Sequence, residues 1–172
     1  MIIRSLACSI ALLVAASGVW PGAAAGRVLS KATRHLAVTA TLTPDIVTAG
    51  TRMSLVFDVT PKTGMHVYAP GTKYRAVAIA LESNPALHVH ETIYPPPTPY
   101  LFKPLNENVL VYERPFRLML DVTAGGTTAQ QAALGTRSRL TIKGQLTYQA
   151  CDERVCYLPA AVPFDWNIKI AR

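Results

Sequence analysis

From residue 35 onward, apolar and polar positions alternate with a period of two. Leu36–Leu42 alternates and ends at a Thr-Pro-Asp turn, and Met53–Val59 places Leu55, Phe57 and Val59 on one face. Similar runs cover 75–81, 87–93, 109–112 and 116–122. The longest, Leu140–Tyr148, precedes Phe164–Ile170, where Phe164, Trp166, Ile168 and Ile170 share a face. Turn residues separate these runs at Pro61–Gly64, Ala69–Gly71, Asn84–Pro85 and Gly125–Gly126. Short alternating runs at this spacing predict an all-β antiparallel sandwich of about eight or nine strands. The one helical pattern, Ala129–Leu134, is too short to shape the fold. Residues 26–35 read as a polar leader, and residues 36–172 as one domain.

One stretch breaks the alternation. Five of the 14 residues from Tyr94 to Glu107 are proline. Proline donates no ladder hydrogen bond and restricts the chain to extended or turn geometry. The expectation is a stiff loop outside the sheets. It nevertheless carries Tyr94, Tyr100, Leu101 and Phe102, and apolar side chains on a loop suit either edge packing or a contact surface.

Composition adds compartment and excludes several classes. Half of the 172 residues are hydrophobic and 16% are charged, which is incompatible with a disordered chain. The net charge of +7 is spread without a basic run, giving no nucleic-acid footprint. Residues 1–25 combine a basic start, an apolar stretch from Ser5 to Val19 and a small-residue site at Gly22–Gly26, the pattern of a cleaved secretory signal peptide. Removing those 25 of 172 residues leaves 147, enough for a core without extra staples and without stable membrane insertion. Arg4 and Cys8 leave with the signal, so the charge falls from +7 to +6 and the cysteine count from three to two. An oxidising compartment lets the remaining pair, Cys151 and Cys156, form a disulfide.

Four residues separate the pair, between two strand-like runs, which suits a hairpin or tight loop. Facing residues of paired strands lie within disulfide reach. Closing a loop this small stabilises by only about 2 kcal/mol, against about 4.7 for a 100-residue loop. The pair is therefore a weak staple, and close spacing also suits thiol exchange, where one sulfur attacks and its neighbour resolves. Of the intervening residues, Asp152 and Glu153 would raise a nearby thiol pKa and Arg154 would lower it. Three readings stay open on the residues alone: a local structural disulfide, redox exchange, and a copper or zinc site drawing on Cys151, Cys156, Met65, His66, His88 and His90. No Gly-x-Ser-x-Gly elbow or phosphate loop supports hydrolase or nucleotide chemistry.

Three stretches resemble a known family, the N-terminal periplasmic domain of the thiol:disulfide interchange protein DsbD and the related ScsB-type domains. The most specific is Leu146-Thr-Tyr-Gln-Ala-Cys151 with Cys156-Tyr-Leu-Pro159, similar to the family's TYQGC…CYPP element. The others are Gly64-Met-His-Val-Tyr68-Ala-Pro-Gly71 and Asn108-Val-Leu-Val-Tyr112-Glu-Arg-Pro-Phe116. Together they span about residues 35–171. The resemblance implies an immunoglobulin-like sandwich in the periplasm whose cysteines cycle between disulfide and dithiol, with no cofactor. It implies thioredoxin-like periplasmic proteins as clients and a membrane-embedded or soluble dithiol as electron donor. Cys156 would form the mixed disulfide and Cys151 would resolve it. Phe102 or Tyr100 would shield the pair from the 94–107 loop, and Tyr68 would lie beside it.

The chain departs from the family in three ways. The gap between the cysteines is four residues where the family often has five, Leu158 replaces the first proline of CYPP, and Pro99–Pro104 lacks the acidic residues some members carry. With the given sequence ending at Arg172, the expected electron source is a separate protein. The rival expectation is a non-enzymatic periplasmic binding module with a structural disulfide, carrying copper or presenting its loop to a partner.

Overall fold

The computed structural model of the chain describes residues 26–171. The expected signal peptide, with Cys8, lies outside the described residues. In chain order the elements are β1 (Arg27–Ala32), β2 (Leu36–Thr43), β3 (Ile46–Val47), β4 (Arg52–Pro61), β5 (His66–Tyr68), β6 (Ala78–Leu81), β7 (Leu87–Ile93), β8 (Thr98–Phe102), β9 (Glu107–Tyr112), β10 (Phe116–Ala124), α1 (Thr128–Leu134), β11 (Arg139–Tyr148), β12 (Ala150–Cys151) and β13 (Ala160–Ile170).

They form three sheets. One has the order β1-β2-β4-β10-β7, a second β3-β13-β11-β6, and a third, small one β12-β5-β9-β8. All pairs are antiparallel except β3 with β13. The first two sheets face each other as the expected all-β, immunoglobulin-like sandwich. Their inner faces follow the alternation. Met53, Leu55, Phe57 and Val59 of β4 are buried, as are Val162, Phe164, Trp166 and Ile168 of β13. The two faces meet where Phe57 contacts Phe164 and Trp166 edge-on, with ring centroids 5.4 and 5.9 Å apart. Offset and edge-to-face arrangements like these add to the gain from burial.

The third sheet is built from continuations of scaffold strands. β4 passes through the 61–64 turn into β5, with Gly64 at φ +77° where a side chain would be strained. β9 runs on toward β10, and β11 is followed by β12 after Gln149. Each short strand of the site is thus held close to a long strand of the sandwich.

The structure differs from the sequence expectations in three places. Residues 98–102, expected to lie outside the sheets, are strand β8, paired from Thr98↔Val111 to Phe102↔Glu107. β8 is an edge strand, where a proline such as Pro99 is tolerated because one side of the backbone has no partner. Most of the polar leader is edge strand β1, paired with β2 along its whole length and exposed except at Leu29, so no apolar alternation marks it. The 75–81 run is strand only from Ala78. The short helix does form, as α1, with a capping box between Thr127 and Gln130 that satisfies its first turn.

Candidate functional site

Cys151 ends β12 and is wholly buried, while Cys156 is only partly so. A disulfide joins them, with their Cα atoms 4.0 Å apart. The hairpin between them closes on its own backbone, through Asp152 N–H to Val155 C=O at 2.9 Å and Tyr157 N–H to Ala150 C=O at 2.9 Å. Asp152 turns its carboxylate inward on this hairpin. Oδ1 accepts from the backbone N–H groups of Arg154 (2.8 Å) and Val155 (2.7 Å), and Oδ2 accepts from the Tyr157 hydroxyl at 2.8 Å. Those donors hold the Asp152 carboxyl below its ordinary value, the backbone N–H bonds contributing most. The sequence placed Asp152 among the groups tuning the thiols; its contacts are those of a loop cap. Glu153 and Arg154 are exposed and line a cleft with Tyr100, Leu101 and Lys103.

Tyr68 lies directly against the sulfurs. Its hydroxyl is 3.2 Å from Cys156 Sγ and 3.3 Å from Cys151 Sγ. The sulfurs of a disulfide carry no proton, so the hydroxyl is the donor. Tyr68 is fully buried, and burial first, then the charge of Glu107 and the neighbouring Tyr74, pushes its pKa up to about 12. It therefore stays a hydrogen-bond donor throughout the physiological range. Its ring stacks on Tyr74 with centroids 4.4 Å apart, and Tyr74 in turn donates to Glu107 Oε2 at 2.6 Å. Lys73 completes this surface chain at 3.0 Å from Glu107 Oε1.

Tyr68, Val109, Val111 and Cys151 form a buried cluster distinct from the sandwich core, with Tyr74, Tyr100 and Cys156 packed against it. Of the two candidate shields, Tyr100 is the one that packs on this cluster. Phe102 projects from the same side of β8 and is buried, outside the cluster around the sulfurs. The third sheet thus brings together Cys151, Cys156, Tyr68 and Tyr100.

The proposed metal ligands are dispersed. His66 is on β5, whereas His88 and His90 are on β7 in another sheet, where His90 Nε2 pairs with Thr123 Oγ1 at 2.9 Å. Among the described residues, no three His, Cys, Asp or Glu side chains converge to hold a metal ion. Asp58 and Asp121 are partnered at 2.7 Å by Arg117 and Arg52 across neighbouring strands.

Two features of the site escaped the sequence reading. Tyr157 bridges Asp152 to His35, whose ring lies 4.6 Å from it, and Arg34 covers the Tyr157 ring at 5.2 Å. His66 is buried opposite Cys151 in the β5–β12 register and packs on Tyr100 with centroids 4.3 Å apart. Sequence placed it only in a loose set of soft ligands.

The family model of the N-terminal region of thiol:disulfide interchange protein DsbD matches residues 32–165. The chain belongs to this DsbD N-terminal domain family. Among solved structures, it is similar to the N-terminal periplasmic domain of ScsB from Proteus mirabilis, at 14% identity and TM-score 0.49, covering 83% of this chain and 49% of that one. It is also similar to the reduced Neisseria meningitidis DsbD N-terminal domain, at 16% identity and TM-score 0.41, covering 72% of this chain and 80% of that one. The chain thus spans about half the length of the ScsB domain. No protein of curated function matches the sequence. The matched family is the N-terminal region of a thiol:disulfide interchange protein, and this member carries a Cys151–Cys156 disulfide.

Proposed function

We propose that this domain is a periplasmic electron relay that reduces oxidised, thioredoxin-like client proteins through Cys151 and Cys156. The observation that carries the reading is the asymmetry of the pair. Cys151 is sealed beneath Tyr68 and the β5 backbone, while Cys156 keeps partial access to solvent. Attack on or by a sulfur is controlled partly by access, so Cys156 is the sulfur that meets the client. In the reduced domain, the Cys156 thiolate attacks the client disulfide and releases one client thiolate. Cys151 then attacks Cys156, the mixed disulfide breaks, and the second client sulfur leaves. Two electrons pass from the domain's dithiol to the client, and two protons follow them. A separate dithiol donor restores the domain.

A protein client is favoured over a small disulfide by the surface around the pair. Leu101, Leu105, Val155 and Leu158 are exposed on β8, on the turn after it and on the cysteine hairpin, Leu158 to 87%. Apolar side chains gathered beside a reactive group mark a protein contact surface. Tyr100, packed over the buried cluster, acts as the shield that limits adventitious exchange, with Phe102 supporting the end of its strand.

The test is client reduction by the purified, reduced mature domain. Cys156→Ser is expected to abolish the reaction. Cys151→Ser is expected to leave the first attack intact and to accumulate a covalent domain–client complex. Unchanged client reduction by either variant contradicts the proposal.

A further inference from the structure

His66 is buried, at 2% exposure. Its Nε2 is buried without a hydrogen-bond partner. Leaving a polar nitrogen unpaired costs about 1–3 kcal/mol, a penalty that an apolar ring of similar shape would avoid. The cost is borne beside the reactive pair. His66 and Cys151 are directly opposed in the antiparallel β5–β12 register, and opposed residues project from the same face with Cβ atoms about 4.5–5.5 Å apart. Tyr68, two residues along β5, shares that face, and its hydroxyl is within 3.3 Å of both sulfurs. The His66 imidazole is clamped on this face between the Tyr100 ring at 4.3 Å and the edge of Tyr68 at 6.2 Å.

We propose that His66 takes the Cys151 thiol proton as Cys151 attacks the mixed disulfide at Cys156, an inference that rests on the exchange function above. The buried sulfur is the one in need of a base. Cys156 can lose its proton to solvent, whereas Cys151 has no exposed surface and must be deprotonated from within. The Cys151 S–H proton moves to Nε2 of neutral His66. The Cys151–Cys156 bond forms as the Cys156–client bond breaks, and the departing client sulfur, now carrying the electron pair, collects a proton. Around the imidazole, the Asp152 carboxylate faces it from the hairpin, Tyr68 from β5 and Tyr100 from β8, and Glu113 and Glu153 act on Tyr100. Burial lowers the His66 pKa below its ordinary 6.5, with Asp152 opposing, so the ring is neutral and ready to accept at pH 7.

The experiment separates the two attacks without a client. The reduced domain is mixed with dithiobis(nitrobenzoate) and both releases of the coloured thiol are timed. The first reports Cys156 attacking the reagent, the second Cys151 resolving the mixed disulfide. In the wild-type domain the second release is expected to reach a plateau above pH 6.5. His66→Phe, which preserves the ring, and His66→Gln are expected to slow the second release at pH 7 at least about tenfold, the low side of general-base effects. Their second release should keep rising into the ordinary thiol range, about pH 8.5. The first release should be unchanged. A wild-type second release that climbs to the thiol range without a plateau overturns the proposal, whether or not the variants fold. So does a folded variant that matches wild type. Absence of any second release from the wild-type domain overturns the exchange function itself.

Discussion

The sandwich core and the small third sheet bury side chains to different ends. In the core, long strands alternate, and the interior is mostly aliphatic around the Phe57, Phe164 and Trp166 rings, with Tyr112 and Tyr148 as its hydroxyl-bearing members. In the third sheet the strands are two to six residues long, all three residues of β5 are buried, and the aromatics carry hydroxyls and an imidazole. The first arrangement maximises apolar burial and the second sacrifices some of it. Tyr68, His66 and the cysteines lie together on short strands that follow long strands of the sandwich. Stability and chemistry are thereby separated within a single domain, and substitutions should separate them too.

The largest effect is expected in the core. Trp166 is fully buried, and Trp166→Ala should remove about 3–5 kcal/mol of stability, a large part of the 5–15 kcal/mol typical of a domain. Denaturant unfolding should show it, with exchange activity lost only in proportion to the unfolded fraction. Next comes Tyr68→Phe, which keeps the stack on Tyr74 and deletes the donor to both sulfurs. The expected stability change is at most about 1 kcal/mol, yet alkylation of reduced Cys156 at pH 7 should slow about threefold to tenfold as the thiolate loses its hydrogen bond. A large loss of stability with unchanged alkylation would erase the distinction between the two regions. The smallest effect is confined to the hairpin. The Asp152 carboxyl is held below its ordinary 3.8, so its contribution is present above that value and fades as pH falls through the lower folded-state value. Compared at the same pH, reduction of the disulfide by a phosphine should therefore be slower in the wild type than in Asp152→Asn at neutral pH, and the gap should close in strong acid.

The same contrast decides what was legible in the sequence. β2, β4, β10, β11 and β13 each have one buried face, and their period-two alternation predicts them to within two residues at each end, except that β13 begins four residues earlier, at Ala160. The cysteine hairpin was readable from its spacing. Of the third sheet only β9 was, from the 109–112 run. β5 and β12 are too short to show a period, and β5 is buried on both faces. β8 was hidden by Pro99 and the prolines before it, although the exclusion of proline from strands does not extend to an edge. The burial of His66 follows from a register between β5 and β12 that no local pattern encodes. Tyr68 was placed beside the pair only through the family resemblance. Its position follows from alternation once the register is known.

The most direct test of the central claim is the reduction potential of the Cys151–Cys156 pair in the mature domain, read from alkylated thiols by mass spectrometry in glutathione and dithiothreitol buffers. Known exchange proteins reach down to about −270 mV, and the relay function predicts a value between about −180 and −270 mV. A value below about −300 mV would mark a resistant structural bond and contradict the account.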